Sequence, residues 1–194
     1  MQLSFAFFFT SIMLGAGLAM DAFSVSLANG LNEPKMKRSR MCGVALVFSL
    51  FQFAMPLIGW ICVSTVARLF TAFEKFIPWI ALLLLSYIGG KMLYEGIKNK
   101  GSDDEKPAVG FKGLLIQGVA TSIDALSVGF TISDYNIIEA LVSCSLIGIV
   151  TFLICYVGLF IGKKAGTKLA GKAGIIGGAI LIFIGLEIFI TSFF

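Results

Sequence analysis

Apolar residues in this chain neither alternate nor keep to one helical face. They fill runs near 20 residues long, the length a helix needs to cross a hydrocarbon layer of about 30 Å. Six such runs occur, at 3–29, 41–67, 76–98, 111–133, 137–162 and 173–193. Main-chain groups inside lipid must bond within their own segment, and no alternating barrel pattern is present, so the runs predict helices. The fold class expected is an all-α integral membrane protein with six transmembrane helices. Pro56 falls inside the second run and Pro78 near the start of the third. Pro56 removes a main-chain donor, so its helix should bend or leave a carbonyl unbonded.

The short connections carry most of the charge. The first holds Lys35, Lys37, Arg38 and Arg40; the third Lys98, Lys100, Lys106 and Lys112; the fifth Lys163, Lys164, Lys168 and Lys172. The opposite side holds only Arg68 and Lys75. Basic residues stay on the cytoplasmic side, which predicts both termini outside. Residues 101–110 are polar, acidic and contain a proline, and read as a cytoplasmic linker between a three-helix half at 1–100 and another at 111–194, together one membrane domain.

Composition narrows the classes further. Of 194 residues, 58% are hydrophobic and 13% charged, against about 25% charged in soluble domains. A cytosolic enzyme, a disordered tail and a secreted disulfide scaffold are excluded. The chain has no histidine, which excludes a His-based triad, a haem His ligand and a zinc-hydrolase site. A net charge of +4 without a long basic block gives no reason to expect nucleic acid as a partner. Cys42, Cys62, Cys144 and Cys155 form no C-x-x-C pair and read as small apolar fillers. The N-terminus lacks a basic leader and its apolar run is too long for a cleavable signal, so the first segment should remain as a helix.

Half the chain echoes the other. Met20-Asp21-Ala22-Phe23-Ser24-Val25 in the first run matches Ile123-Asp124-Ala125-Leu126-Ser127-Val128 in the fourth, 103 residues later. Ile88-Gly89-Gly90 and Ile184-Gly185-Leu186 echo more weakly. Three crossings per half is odd, so the second half enters in the opposite sense. Inverted-topology repeats of this kind are common in secondary transporters, with the substrate bound at the midplane between them. Asp21 and Asp124 both lie roughly 17 Å from the cytoplasmic side at 1.5 Å per helical residue.

A carboxylate at the bilayer centre is costly and marks a functional site by default. On the faces carrying the two aspartates stand Gly17, Ser24 and Ala28, and Ala120, Thr121, Ser127 and Thr131. Small residues let helices approach; the hydroxyls serve either as ligands or as back-bonds to carbonyls. Two carboxylates with hydroxyl, amide or water oxygens suit a hard divalent cation such as Mg²⁺, Ca²⁺ or Mn²⁺. When the ion leaves, the carboxylates repel and one is expected to take up a proton. Gln52, four residues before Pro56, is a further candidate ligand or an interhelical hydrogen-bonding group. Glu187, Glu95 and Asn29 are candidates for the ion's path, against snorkelling for Glu187, an ion pair with Lys91 for Glu95 and a helix cap for Asn29. Gly174-x-x-x-Gly178 reads as helix packing.

Taken together, Leu18-Ala19-Met20-Asp21-Ala22-Phe23-Ser24-Val25-Ser26, Met55-Pro56-Leu57-Ile58-Gly59, Gly89-Gly90-Lys91-Met92-Leu93-Tyr94-Glu95-Gly96 and Thr121-Ser122-Ile123-Asp124-Ala125-Leu126-Ser127-Val128-Gly129 resemble the signatures of the MntP-type manganese efflux pumps, in the LysE-like transporter group. The resemblance covers almost the whole chain, in order. It implies a multi-pass exporter of Mn²⁺ in the bacterial plasma membrane, with Asp21 and Asp124 as its key acidic residues. Some family members carry a membrane Glu where this chain has Gln52, and a neutral residue where it has Glu187.

The expectation is a secondary transporter and not an enzyme. It would need no cofactor, with Mn²⁺ as cargo, protons as possible co-substrates and the lipid bilayer as surroundings. Metal ligands would come from Asp21, Asp124, Ser24, Gln52, Thr121 and Ser127. An exporter of amino acids or other small organic solutes is the alternative within transport, but no mid-membrane Arg or Lys would meet a substrate carboxylate. An intramembrane aspartyl enzyme is the alternative of another class, but neither Tyr-Asp nor Gly-x-Gly-Asp is found at the aspartates. No Gly-rich ATP loop is present.

Overall fold

A computed structural model describes residues 5–63, 77–98, 109–168 and 173–191. Among these residues every regular element is a helix: α1 (Phe5–Asn32), α2 (Arg38–Val63), α3 (Ile77–Lys98), α4 (Phe111–Ala120), α5 (Ile123–Thr131), α6 (Ile137–Lys168) and α7 (Ala173–Thr191). Among the described residues, four stretches are long and apolar enough to cross a membrane: Phe5–Asn32, Arg38–Cys62, Phe111–Thr131 and Ile137–Gly166. The helices α3 and α7 occupy the third and sixth expected segments. The chain is therefore a multi-pass membrane protein. The surface agrees, with Phe9, Leu50, Leu83, Ile149 and Phe183 exposed while Ser11, Gln52, Gln117 and Thr151 are buried, as expected where the surroundings are lipid.

One expectation is corrected. The fourth segment is not one helix, because the path breaks at Thr121 and Ser122. Both hydroxyls turn back onto the preceding turn, Thr121 Oγ1 donating to the Gln117 carbonyl (2.9 Å) and Ser122 Oγ to that of Gly118 (2.7 Å). Two consecutive back-bonding residues after a glycine loosen the ladder. Pro56, by contrast, lies within a continuous α2. The first helix also runs three residues past Asn29, so Asn29 does not cap it.

The bundle is assembled by long contacts of α1 with α6, α3 with α7, and α2 with both α6 and α5. Lesser contacts join α1 to α7 and α4 to α2 and α3. Three of these seams need glycine. A Cβ at Gly30 would stand 2.5 Å from the Leu159 carbonyl oxygen, with Gly162 and Lys163 beside it. A Cβ at Gly129 would stand 2.5 Å from the Trp60 nitrogen, with Pro56 and Gly59 beside it. Gly89 and Gly178 oppose each other between α3 and α7, which supports the packing reading of the Gly174-x-x-x-Gly178 motif.

Candidate functional site

Asp21 lies in the middle of α1 and Asp124 in the first turn of α5, just past the break. Asp124 lines a cleft with Gly17 and Leu18 of α1, about one helical turn before Asp21. Asp124 Oδ1 accepts the Ala125 main-chain N–H at 2.9 Å. A carboxylate in the first turn of a helix is favoured by the partial positive charge of that end. The break thus offers the Asp124 carboxylate a helix N-terminus inside a segment that would otherwise oppose charge.

Gln52 of α2 reaches between the two aspartate helices. It is fully buried (0% exposed). Its Nε2 donates both to the Leu18 carbonyl (3.1 Å) and to the Thr121 carbonyl (2.9 Å). The second of these bonds satisfies a carbonyl at the break. With both donors engaged, the amide orientation is fixed, and Oε1 is buried without a hydrogen-bond partner among the described residues. The proline at position 56 also removes the N–H that would normally take the Gln52 main-chain carbonyl.

The hydroxyls divide. Thr121 Oγ1 is buried and held on α4 carbonyls, and Ser24 Oγ donates to Met20 O at 3.0 Å. Both take the back-bonded arrangement. Ser127 is exposed on α5. Asn29 is 3% exposed and meets a residue that the sequence reading passed over: its Nδ2 donates to Gln117 Oε1 at 2.8 Å, and Gln117 Nε2 donates back to Asn29 Oδ1 at 3.4 Å. Gln117 lies in an apolar run a few residues after the polar linker, where a polar residue passes for an interfacial one. The side chains of Glu95 and Glu187 lie outside the described residues.

A cleft of about 460 Å³ opens between the N-terminal half of α1 and α5, lined by Phe9, Thr10, Met13 and Gly17 with Asp124 and Val128. Towards the other end of α1, side-chain bonds link separate segments. Besides the amide pair, Arg40 bonds Glu33 (2.8 Å) and the Val109 carbonyl (3.0 Å), and Lys163 bonds the Met36 carbonyl (2.7 Å). Among the described residues no three of His, Cys, Asp and Glu gather into a metal-binding group. Amide, carbonyl, hydroxyl and water oxygens could complete the shell of a cation held by the two aspartates, a donor set that suits a hard metal.

The aspartates are not placed identically. Asp21 precedes the seam glycine Gly30 by nine residues and Asp124 precedes Gly129 by five. Relative to the glycine contacts the two carboxylates are thus about one helical turn out of register.

A family model described as "Putative manganese efflux pump" matches residues 35–189. A protein of Ruminiclostridium cellulolyticum named "Putative manganese efflux pump MntP" is 42% identical over 94% of this chain and 95% of its own. Proteins of the same name from Clostridium botulinum and Methanobrevibacter smithii are each 43% identical, over 92% and 91% of this chain and 92% and 94% of their own. No solved structure matches. With a family model and relatives that match almost from end to end, the chain belongs to the MntP family of manganese efflux pumps, which are transporters and not enzymes.

Proposed function

We propose that this protein exports Mn²⁺ across the plasma membrane by alternating access, binding the ion between Asp21 and Asp124 with Gln52 Oε1 as a neutral ligand. The observation that carries the reading is the buried Gln52 amide, held by the Leu18 and Thr121 carbonyls with its oxygen unpartnered among the described residues, between the segments that carry the two aspartates. Two carboxylates neutralise a divalent cation, and all three side chains offer the oxygen donors that Mn²⁺ accepts. Ser24 and Thr121 are secondary candidates, because their hydroxyl protons are already committed to carbonyls while their lone pairs remain available.

Six crossings in two inverted halves, with both termini outside, suit the helix contacts. Exchanging α1 with the α4 and α5 pair, α2 with α6, and α3 with α7 turns every principal contact into another or into itself. The seams follow the same exchange: Leu159, Gly162 and Lys163, which face Gly30, stand 103 residues after Pro56, Gly59 and Trp60, which face Gly129. With the N-terminal half of α1 outermost, the cleft at Asp124 leads outward and the Asn29 and Gln117 pair closes the cytoplasmic route. This is the arrangement of a release state. When the ion leaves, the two carboxylates repel, and a proton taken up by one relieves that repulsion, which couples export to inward proton movement.

The test is Mn²⁺ flux in proteoliposomes under an imposed and then collapsed pH gradient, for the native chain, Asp21→Asn and Asp124→Asn. Gradient-driven flux is expected in the native protein. Each folded variant should lose at least about tenfold, the change that 1.4 kcal/mol represents. Flux that ignores the gradient would remove proton coupling and leave the site. Full flux in folded Asp21→Asn and Asp124→Asn would remove the site itself.

A further inference from the structure

Away from the aspartates, two adjoining cavities run along the outside of α6. One, of about 380 Å³, is lined by Arg38, Met41, Tyr156, Val157, Phe160 and Lys163. The other, of about 270 Å³, is lined by Met20, Phe23, Leu153, Ile154 and Val157. Val157 lines both, so the two meet at this side chain and follow α6 as a track. Between Lys163 and Leu153 helix α6 rises about 15 Å, the reach of a good part of an acyl chain.

The ends of the track differ in chemistry. At one end stand two cations, in the region where the basic connections gather. Lys163 is anchored, its Nζ donating to the Met36 carbonyl at 2.7 Å, and an ammonium carries three donors, so it can also serve an oxyanion. Arg38 is exposed at the start of α2 and offers a planar fork that matches a phosphate. At the other end every lining side chain is a hydrocarbon or a thioether. A free phosphate would leave the apolar end unused. A zwitterionic lipid would bring its own cation against Arg38 and Lys163.

We propose that this track is a binding site for an anionic phospholipid of the cytoplasmic leaflet, with the headgroup phosphate on Arg38 and Lys163 and one acyl chain lying over Val157 towards Leu153. Basic pockets between membrane helices at the cytoplasmic side have this specificity in general. The site is separate from the aspartates, so the proposal stands whether or not the cation reading does.

The experiment uses the purified full chain in detergent. Phosphatidylglycerol, phosphatidylcholine and glycerol 1-phosphate are added in turn, the thermal unfolding midpoint is followed, and retained lipid is counted by native mass spectrometry. Phosphatidylglycerol should raise the midpoint by a few degrees and remain as an adduct; the other two should not. Arg38→Gln should weaken the preference for phosphatidylglycerol several-fold. Val157→Trp, which fills the track without touching either cation, should do the same, and it keeps the test open should loss of charge disturb the fold. Equal effects of phosphatidylglycerol and phosphatidylcholine would overturn the proposal, as would an unchanged preference in both variants. An equal response to glycerol 1-phosphate would show a soluble-phosphate site and overturn the lipid.

Discussion

Gln52 uses its amide in two directions. The nitrogen donates to the carbonyls of Leu18 and of Thr121 at the break, and the oxygen is buried without a partner among the described residues. Gln52→Leu keeps the volume and removes both functions. Removing the Gln52 donor from the Thr121 carbonyl at the break should cost about 1–3 kcal/mol, read as a lower unfolding midpoint, and the stabilisation by added Mn²⁺ should shrink with it. An undiminished Mn²⁺-dependent shift in that variant would take Gln52 out of the site. Gln52→Glu is no conservative exchange, since a carboxylate offers the Leu18 and Thr121 carbonyls no pair of N–H donors. Asp21, Asp124 and Gln52 stand out in the sequence because polar groups are conspicuous in apolar runs. Gln117 was missed because its importance lies in a partner 88 residues away, which no local pattern reveals.

At the scale of the element, the apolar runs foretell where helices lie to within a few residues, because lipid leaves the backbone no alternative. They do not foretell the break in the fourth segment, because hydropathy stays high through Thr121 and Ser122. What marks it is chemistry of another kind, two adjacent hydroxyls able to take over carbonyls. Replacing both by Ala should rebuild the ladder towards one continuous helix and re-aim Asp124, with flux falling at least several-fold while the chain still folds. Unchanged flux would show that the break does not set the aspartate. The glycine seams make a separate prediction. Gly30→Leu forces a side chain into the backbone of α6 and should cost about 1–3 kcal/mol or more, seen as a lower midpoint. Gly17→Leu, at a position with open space within 4 Å, should change it far less.

For the molecule as a whole, the charge distribution already separates two sides and the internal echo already suggests two halves. Neither says how the halves interlock, because that depends on which small residues meet across helices far apart in sequence. The interlocking makes the amide pair testable. With Cys42, Cys62, Cys144 and Cys155 replaced by Ser, Asn29→Cys with Gln117→Cys should form a disulfide under oxidation that stops Mn²⁺ flux, and a reductant should restore it. Flux that persists in the fully cross-linked protein would mean that this contact does not part during transport.

The bonds across the break also bear on how the chain is made. The fourth segment is the least apolar of the four spans, and it carries a carboxylate worth about 2.5–3.5 kcal/mol against insertion. Its Thr121 carbonyl and its Gln117 side chain are both satisfied by residues of the first half, Gln52 and Asn29. During synthesis the second half therefore enters a membrane in which its partners already wait. Residues 101–194 expressed alone should be poorly inserted and rapidly degraded, and co-expression of residues 1–100 should rescue them, so that the order of the halves along the gene doubles as an order of assembly.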